Sequence, residues 1–90
     1  MSGESQDADR RRWSVVRAYV LIEMAAGHSR LLVDSLKGRN GVLDVARVTG
    51  PYDVIVVLEG QDVDEINNTV AEVIHPLEGV VRTTTSASMG

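Results

Sequence analysis

The sequence contains no cysteine and no phenylalanine, and its aromatic complement is one Trp and two Tyr. Without cysteine there is neither a disulfide nor a thiolate metal site, and two isolated histidines do not make up a zinc site. No apolar run reaches the roughly 18 to 20 residues that a membrane helix needs, and the first residues are polar rather than a basic stretch leading into an apolar core. The expectation is therefore a soluble, cytoplasmic protein. Positive charge is also scarce, with 9 Lys and Arg against 13 Asp and Glu and a net charge of −4. Nucleic-acid affinity comes largely from clustered cations that neutralise phosphates, so this balance weighs against direct, specific DNA binding.

What is present is enough for one domain. A chain of 90 residues buries a smaller share of its surface than a larger one, which leaves its core a thin margin of stability. With disulfides excluded, self-association is the remedy the composition leaves open.

Residues 1–14 are polar, acidic and then basic, with Arg10, Arg11 and Arg12 in succession and Trp13 alone able to bury much surface. They read as an N-terminal tail, and residues 15–90 as the domain. The arginine run reads as solvated charge at a domain edge, and Trp13 as packing on that edge or on a neighbouring subunit. From 15 to 24 the chain is rich in strand formers and apolar on both alternating faces, Ala18, Val20, Ile22 and Met24 on one and Tyr19 and Leu21 on the other, as in a strand covered on both sides. The spacing predicts a short helix over 29–37 with Leu32, Val33 and Leu36 on one face, closed by Gly38.

Asn40 and Gly41 signal a turn, and 42–48 alternates Val42, Asp44, Ala46 and Val48 against Leu43, Val45 and Arg47, the pattern of an edge strand. Residues 54–59 are nearly continuous Val, Ile and Leu, a second doubly covered strand. Asp62 three residues before Glu65 has the form of a capping box and opens a helix carrying Val63, Ile66, Val70, Val73 and Ile74, which Pro76 and Gly79 stop. A last strand over 80–86 sets Val80, Arg82 and Thr84 against Val81, Thr83 and Thr85.

The order strand, helix, strand, strand, helix, strand with right-handed crossovers gives a ferredoxin-like βαββαβ sandwich of the α+β class. It is a four-stranded antiparallel sheet in the order 4-1-3-2 with two helices on one face. The first and third strands are then central, and their apolar residues on the far face require a cover, most simply a second subunit.

No Gly-rich phosphate loop, nucleophile elbow or His-Glu-x-x-His run is present, and no catalytic residue, metal ligand or cofactor is assigned. His28 reads as a polar residue near a helix start, and His75 as a helix-end residue facing the terminal carbonyls. Asp62, Asp64 and Glu65 suit the first turn of a helix better than an acid/base pair. The segment without a structural explanation is Val48-Thr49-Gly50-Pro51-Tyr52-Asp53.

From Arg17 to about Ser86 the chain resembles the effector-binding C-terminal domain of the Lrp/AsnC transcription regulators, the RAM (regulation of amino acid metabolism) domain. The resemblance rests on Ala18-Tyr19-Val20-Leu21-Ile22 as the opening strand, Val48-Thr49-Gly50-Pro51-Tyr52-Asp53-Val54 as the central hairpin, and Gly79-Val80-Val81-Arg82-Thr83-Thr84-Thr85-Ser86 as the closing strand. It implies dimers paired through their sheets, assembly of dimers into rings, often octamers, and a small amino acid bound near Gly50, Pro51, Tyr52 and Asp53. Regulators of that family carry a helix-turn-helix before this domain, and here only a tail precedes residue 15. The expectation is a stand-alone form that acts through partners, full-length relatives among them.

The chemistry of the loop is compatible with that role. Asp53 can accept from an ammonium group, and the backbone N–H groups of Gly50 and Tyr52 can donate to a carboxylate, while Pro51 stiffens the loop. Asp53 as a cap of its own hairpin is the alternative. Thr83, Thr85 and Ser86 either add hydroxyls to the site or are the β-formers of an ordinary strand. Beside a non-catalytic amino-acid-binding and oligomerisation module stand two other readings, a small dimeric monooxygenase-like enzyme on the same fold and a structural oligomer without ligand. The small aliphatics facing the helices speak against an enzyme's roomy pocket.

Overall fold

The computed structural model describes residues 15–88; the expected tail, with Arg10 to Arg12 and Trp13, lies outside them. Four strands and two helices follow in the order β1 (Val16–Met24), α1 (Ser29–Leu36), β2 (Val42–Arg47), β3 (Val54–Gly60), α2 (Val63–Thr69), continued by a π-helical segment (Val70–Ile74), and β4 (Val80–Ser88). The sheet order is β2-β3-β1-β4, and every pairing is antiparallel. This is the ferredoxin-like arrangement read from the sequence, with the two most apolar strands in the centre.

The core lies on one side of the sheet. Ala18, Val20 and Ile22 of β1 and Val54, Val56 and Leu58 of β3 are fully buried. They form one cluster with Leu32 and Leu36 of α1, Ile66 of α2, and Val70 and Ile74 of the π-helical segment. Both helices therefore cover the same face. Burial of apolar area at about 25 cal/mol per Å² makes this layer the main stabilising term.

The second helix starts as the sequence suggests. The Asp62 carboxylate accepts from the Glu65 N–H at 2.8 Å, and the Glu65 carboxylate accepts in return from the Gln61 N–H at 2.7 Å. The Asp62 bond satisfies a donor that the first turn leaves open, and the reciprocal bond reaches one residue before the N-cap and fixes the chain entering the helix. At its other end the last turn widens, so that the His75 N–H reaches the Val70 carbonyl at 2.9 Å, immediately before Pro76.

Two strands depart from simple alternation. Val42 faces Leu58 while Asp44 faces Val57, so Leu43 is an extra residue and both Val42 and Val45 turn toward the helices. In β4, Val80 faces Met24 while Arg82 faces Glu23, which makes Val81 the extra residue. Val80 then packs on the core and lies with Thr83 and Thr85 on the helix side, while Arg82, Thr84 and Ser86 share the opposite face. The expected faces of 42–48 and 80–86 are corrected accordingly, because a bulge shifts the two-residue period by one. Leu43 and Val81 are left 48% and 59% exposed at these bulges.

Candidate functional site

The 48–53 segment joins the edge strand β2 to the central strand β3 at one end of the sheet. The Val48 N–H donates to the Asp53 carbonyl at 2.9 Å and closes the loop, and the Asp53 N–H donates to the Ile22 carbonyl at 2.9 Å and ties it to β1. Gly50, at the tip, has φ of +118°, a conformation that strains a residue bearing a side chain, although nothing lies within 4 Å of where a Cβ would be. Glycine is thus required here by the backbone and not by crowding. Among the described residues the N–H groups of Gly50 and Tyr52 have no acceptor. Pro51 between them carries no N–H.

Asp53 neither caps its own hairpin nor is wholly free. Its Oδ2 accepts from the Met24 N–H at 2.8 Å. Met24 lies just past the point where β1 ends its pairing with β3, which runs to Ile22 and Val54, and beside the β4 bulge. The carboxylate therefore satisfies a backbone donor of β1 from 29 residues away, and its other oxygen is not engaged by that bond.

Tyr52 is half-buried, and its hydroxyl lies 3.3 Å from Thr84 Oγ1. Thr84 pairs with Leu21, which pairs in turn with Ile55, so Tyr52 reaches across the end of the helix-free face. Ser86, opposite Tyr19, is on that face as well. Thr83 and Thr85 are on the helix side, opposite Ile22 and Val20, and Thr83 Oγ1 lies 3.0 Å from His75 Nε2. The structure thus groups Tyr52 with Thr84 and the face of Ser86, and separates Thr83 and Thr85 from them by the thickness of the sheet. Thr84 is not among the residues singled out from sequence. Its signal lies in the two-residue period, since Ser86 and Thr84 must share a face.

His75 does not turn back to the helix carbonyls as its position suggests; the widened last turn aims its ring at β4. His28, with no side-chain capping bond, instead lies over Gly79, where an added Cβ would come within 2.4 Å of the His28 Cβ. Gly79 has φ of +91° and its carbonyl accepts from the Ala25 N–H at 2.7 Å, so glycine is required there by both conformation and space. Among the described residues no three His, Asp or Glu side chains are placed to hold a metal ion, and no helix is long and apolar enough to cross a membrane.

The helix-free face carries Tyr19, Leu21, Ile55 and Val57 in mutual register, each half-buried or more exposed. Tyr19 remains 42% exposed. At one end of this apolar centre Arg17 is opposite Glu59, and at the other Arg82 is opposite Glu23, their charged groups 3.6 Å apart. A hollow lined by Lys37, Gly38 and the 42–45 stretch is at the far end of β2 from the 48–53 loop.

Comparison with known proteins bears on this geometry. The Lrp/AsnC ligand binding domain matches residues 17–90. Among solved structures, the chain is similar to TTHA0845 from Thermus thermophilus, with 33% identity and a TM-score of 0.78, over 83% of this chain and 94% of that one. It is similar also to the hypothetical protein PHS023 from Pyrococcus horikoshii, with 27% identity and a TM-score of 0.77, over 83% and 90%. The transcriptional regulator NMB0573 from Neisseria meningitidis, solved as an L-Met complex, shares the fold at 18% identity and a TM-score of 0.73, over 83% of this chain and 50% of that one. Among curated proteins none matches this chain.

Proposed function

This chain belongs to the Lrp/AsnC ligand binding domain family, and from that premise we propose that it is a non-catalytic regulatory module that binds a small amino acid at the 48–53 loop and self-associates through the helix-free face of its sheet. The observation that carries the reading is the loop itself, whose carboxylate is held in place by a strand N–H while, among the described residues, the donors of Gly50 and Tyr52 stay uncommitted. An α-amino acid presents an ammonium and a carboxylate a few ångströms apart. The second oxygen of Asp53 supplies an acceptor for the first, the loop N–H groups supply donors for the second, and the Tyr52 and Thr84 hydroxyls add polar contacts beside them. The L-Met complex of the Neisseria regulator, which shares this fold, supports an amino acid as the ligand class.

The apolar row Tyr19, Leu21, Ile55 and Val57, bounded at each end by a cross-strand pair of opposite charges, fits a second copy of the same face. The centre would be removed from water and the charges would remain at the rim. Dimers so formed would assemble further into a ring, and control of amino acid metabolism or transcription would run through partner proteins, full-length relatives included. Thermal shift across the twenty amino acids tests the ligand, since one that binds only the folded state raises its melting temperature. A uniform null across the set would leave a structural oligomer in place of this reading.

A further inference from the structure

The helix-free face carries two cations among its described residues. Arg17 is opposite Glu59 and Ser88 at the end remote from the 48–53 loop, and Arg82 is at the loop end. The β4 bulge falls at Val81, before Arg82, so Arg82 and Thr84 are two residues apart with no interruption and point to the same side. Thr84 is the residue the Tyr52 hydroxyl reaches. Tyr52, Thr84 and Arg82 therefore form a polar row at the rim, beside the loop. Among the described residues Arg82 meets Glu23, its Nε 3.6 Å from the carboxylate, longer than a hydrogen bond, and its side chain is 69% exposed. At that exposure, and with no hydrogen bond to Glu23, the guanidinium is accessible to a further acceptor.

We propose that Arg82 is the specificity-determining residue of this site, its guanidinium taking the carboxylate of the amino acid whose ammonium is held by Asp53. The inference rests on the amino-acid reading given above and adds to it the charge that the loop lacks. Neutral N–H donors from Gly50 and Tyr52 do not by themselves select a carboxylate over an amide, whereas a planar fork of donors bearing a full positive charge does. With one carboxylate from the loop and one guanidinium from β4, the site complements a zwitterion and discriminates against amines and amino-acid amides.

The test compares, by titration calorimetry, the tightest-binding of the twenty amino acids with its own carboxamide, on wild type, Arg82→Gln and Arg82→Lys, each at confirmed wild-type oligomer mass. Wild type should prefer the acid strongly. Arg82→Gln should weaken binding of the acid by about ten-fold to a hundred-fold and leave the amide nearly unchanged, as expected for loss of a charge-assisted hydrogen bond. Arg82→Lys, which keeps the charge and loses the fork, should fall between them and serves as the deciding variant if the Gln protein does not assemble. An unaltered preference for the acid in both variants overturns the role of Arg82 while leaving the amino-acid site standing. Wild type that binds none of the twenty overturns both.

Discussion

The Asp53 carboxylate accepts the Met24 N–H at 2.8 Å, so the one acidic side chain of the 48–53 loop is also a structural clasp on the end of β1. Its two prospective duties are separable by mutation. Asp53→Ala leaves a part-buried strand donor unpaired and should lower stability by about 1 to 3 kcal/mol as well as weaken amino-acid binding by roughly ten-fold to a hundred-fold. Asp53→Asn retains an oxygen for Met24 and removes the charge. It should melt near wild type and bind roughly ten-fold or more weakly, and calorimetry together with a melting curve checks both. Wild-type affinity in a correctly assembled Asp53→Asn would place the ammonium elsewhere.

Self-association through the helix-free face predicts a mass at least twice the monomer's 9.7 kDa at micromolar concentration by light scattering coupled to size exclusion. Leu21→Asp and Val57→Lys each place a charge in the middle of the apolar row, where burial in an interface without a partner is costly. Each should shift the mass toward the monomer with the helical signal retained. A wild-type protein that runs as a monomer throughout would leave this face without the cover proposed for it.

The packing of His28 on Gly79 predicts a two-part penalty. Gly79→Ala introduces both a positive-φ strain of about 1 to 2 kcal/mol and a collision with the His28 side chain. In a His28→Ala background the contacts with the imidazole disappear, while the 2.4 Å approach to the Cβ of residue 28 and the strain remain, so the double mutant should recover only a small part of the lost stability. Denaturant midpoints of the four proteins measure the coupling; strict additivity would show that the imidazole yields without cost.

Duplex DNA should not be bound specifically at physiological salt. The net charge is −4, and α2 with the π-helical segment carries Asp64, Glu65 and Glu72 and no Lys or Arg, which leaves it without cations to meet phosphates. A mobility shift that depends on sequence and survives increasing salt would contradict this. One that vanishes with modest salt belongs to the charge of Arg10 to Arg12.

The architecture was legible in the chain alone, because the information it needs is local and periodic. Two nearly continuous apolar strands among amphipathic elements can be buried only at the centre of the sheet, and Ala18, Val20, Val54 and Val56 are there. The Asp62 and Glu65 pair marks a helix start that the chain uses. The motifs around residues 18–22, 48–54 and 79–86 are enough to indicate the family.

Which side chains share the candidate site is settled in three dimensions. The bulges at Leu43 and Val81 insert one residue each, and an odd insertion reverses the face of everything on one side of it, with no mark in composition to show where it falls. That is why Val80 turns to the core. The partners of Asp53 and Tyr52 lie 29 and 32 residues away in the chain, and their meeting depends on strand register, which follows from the packing of the whole core rather than from any local pattern. The same register sets Arg82 beside Thr84 and across from Glu23 at the rim, while Thr83, its neighbour in sequence, faces the helices and His75.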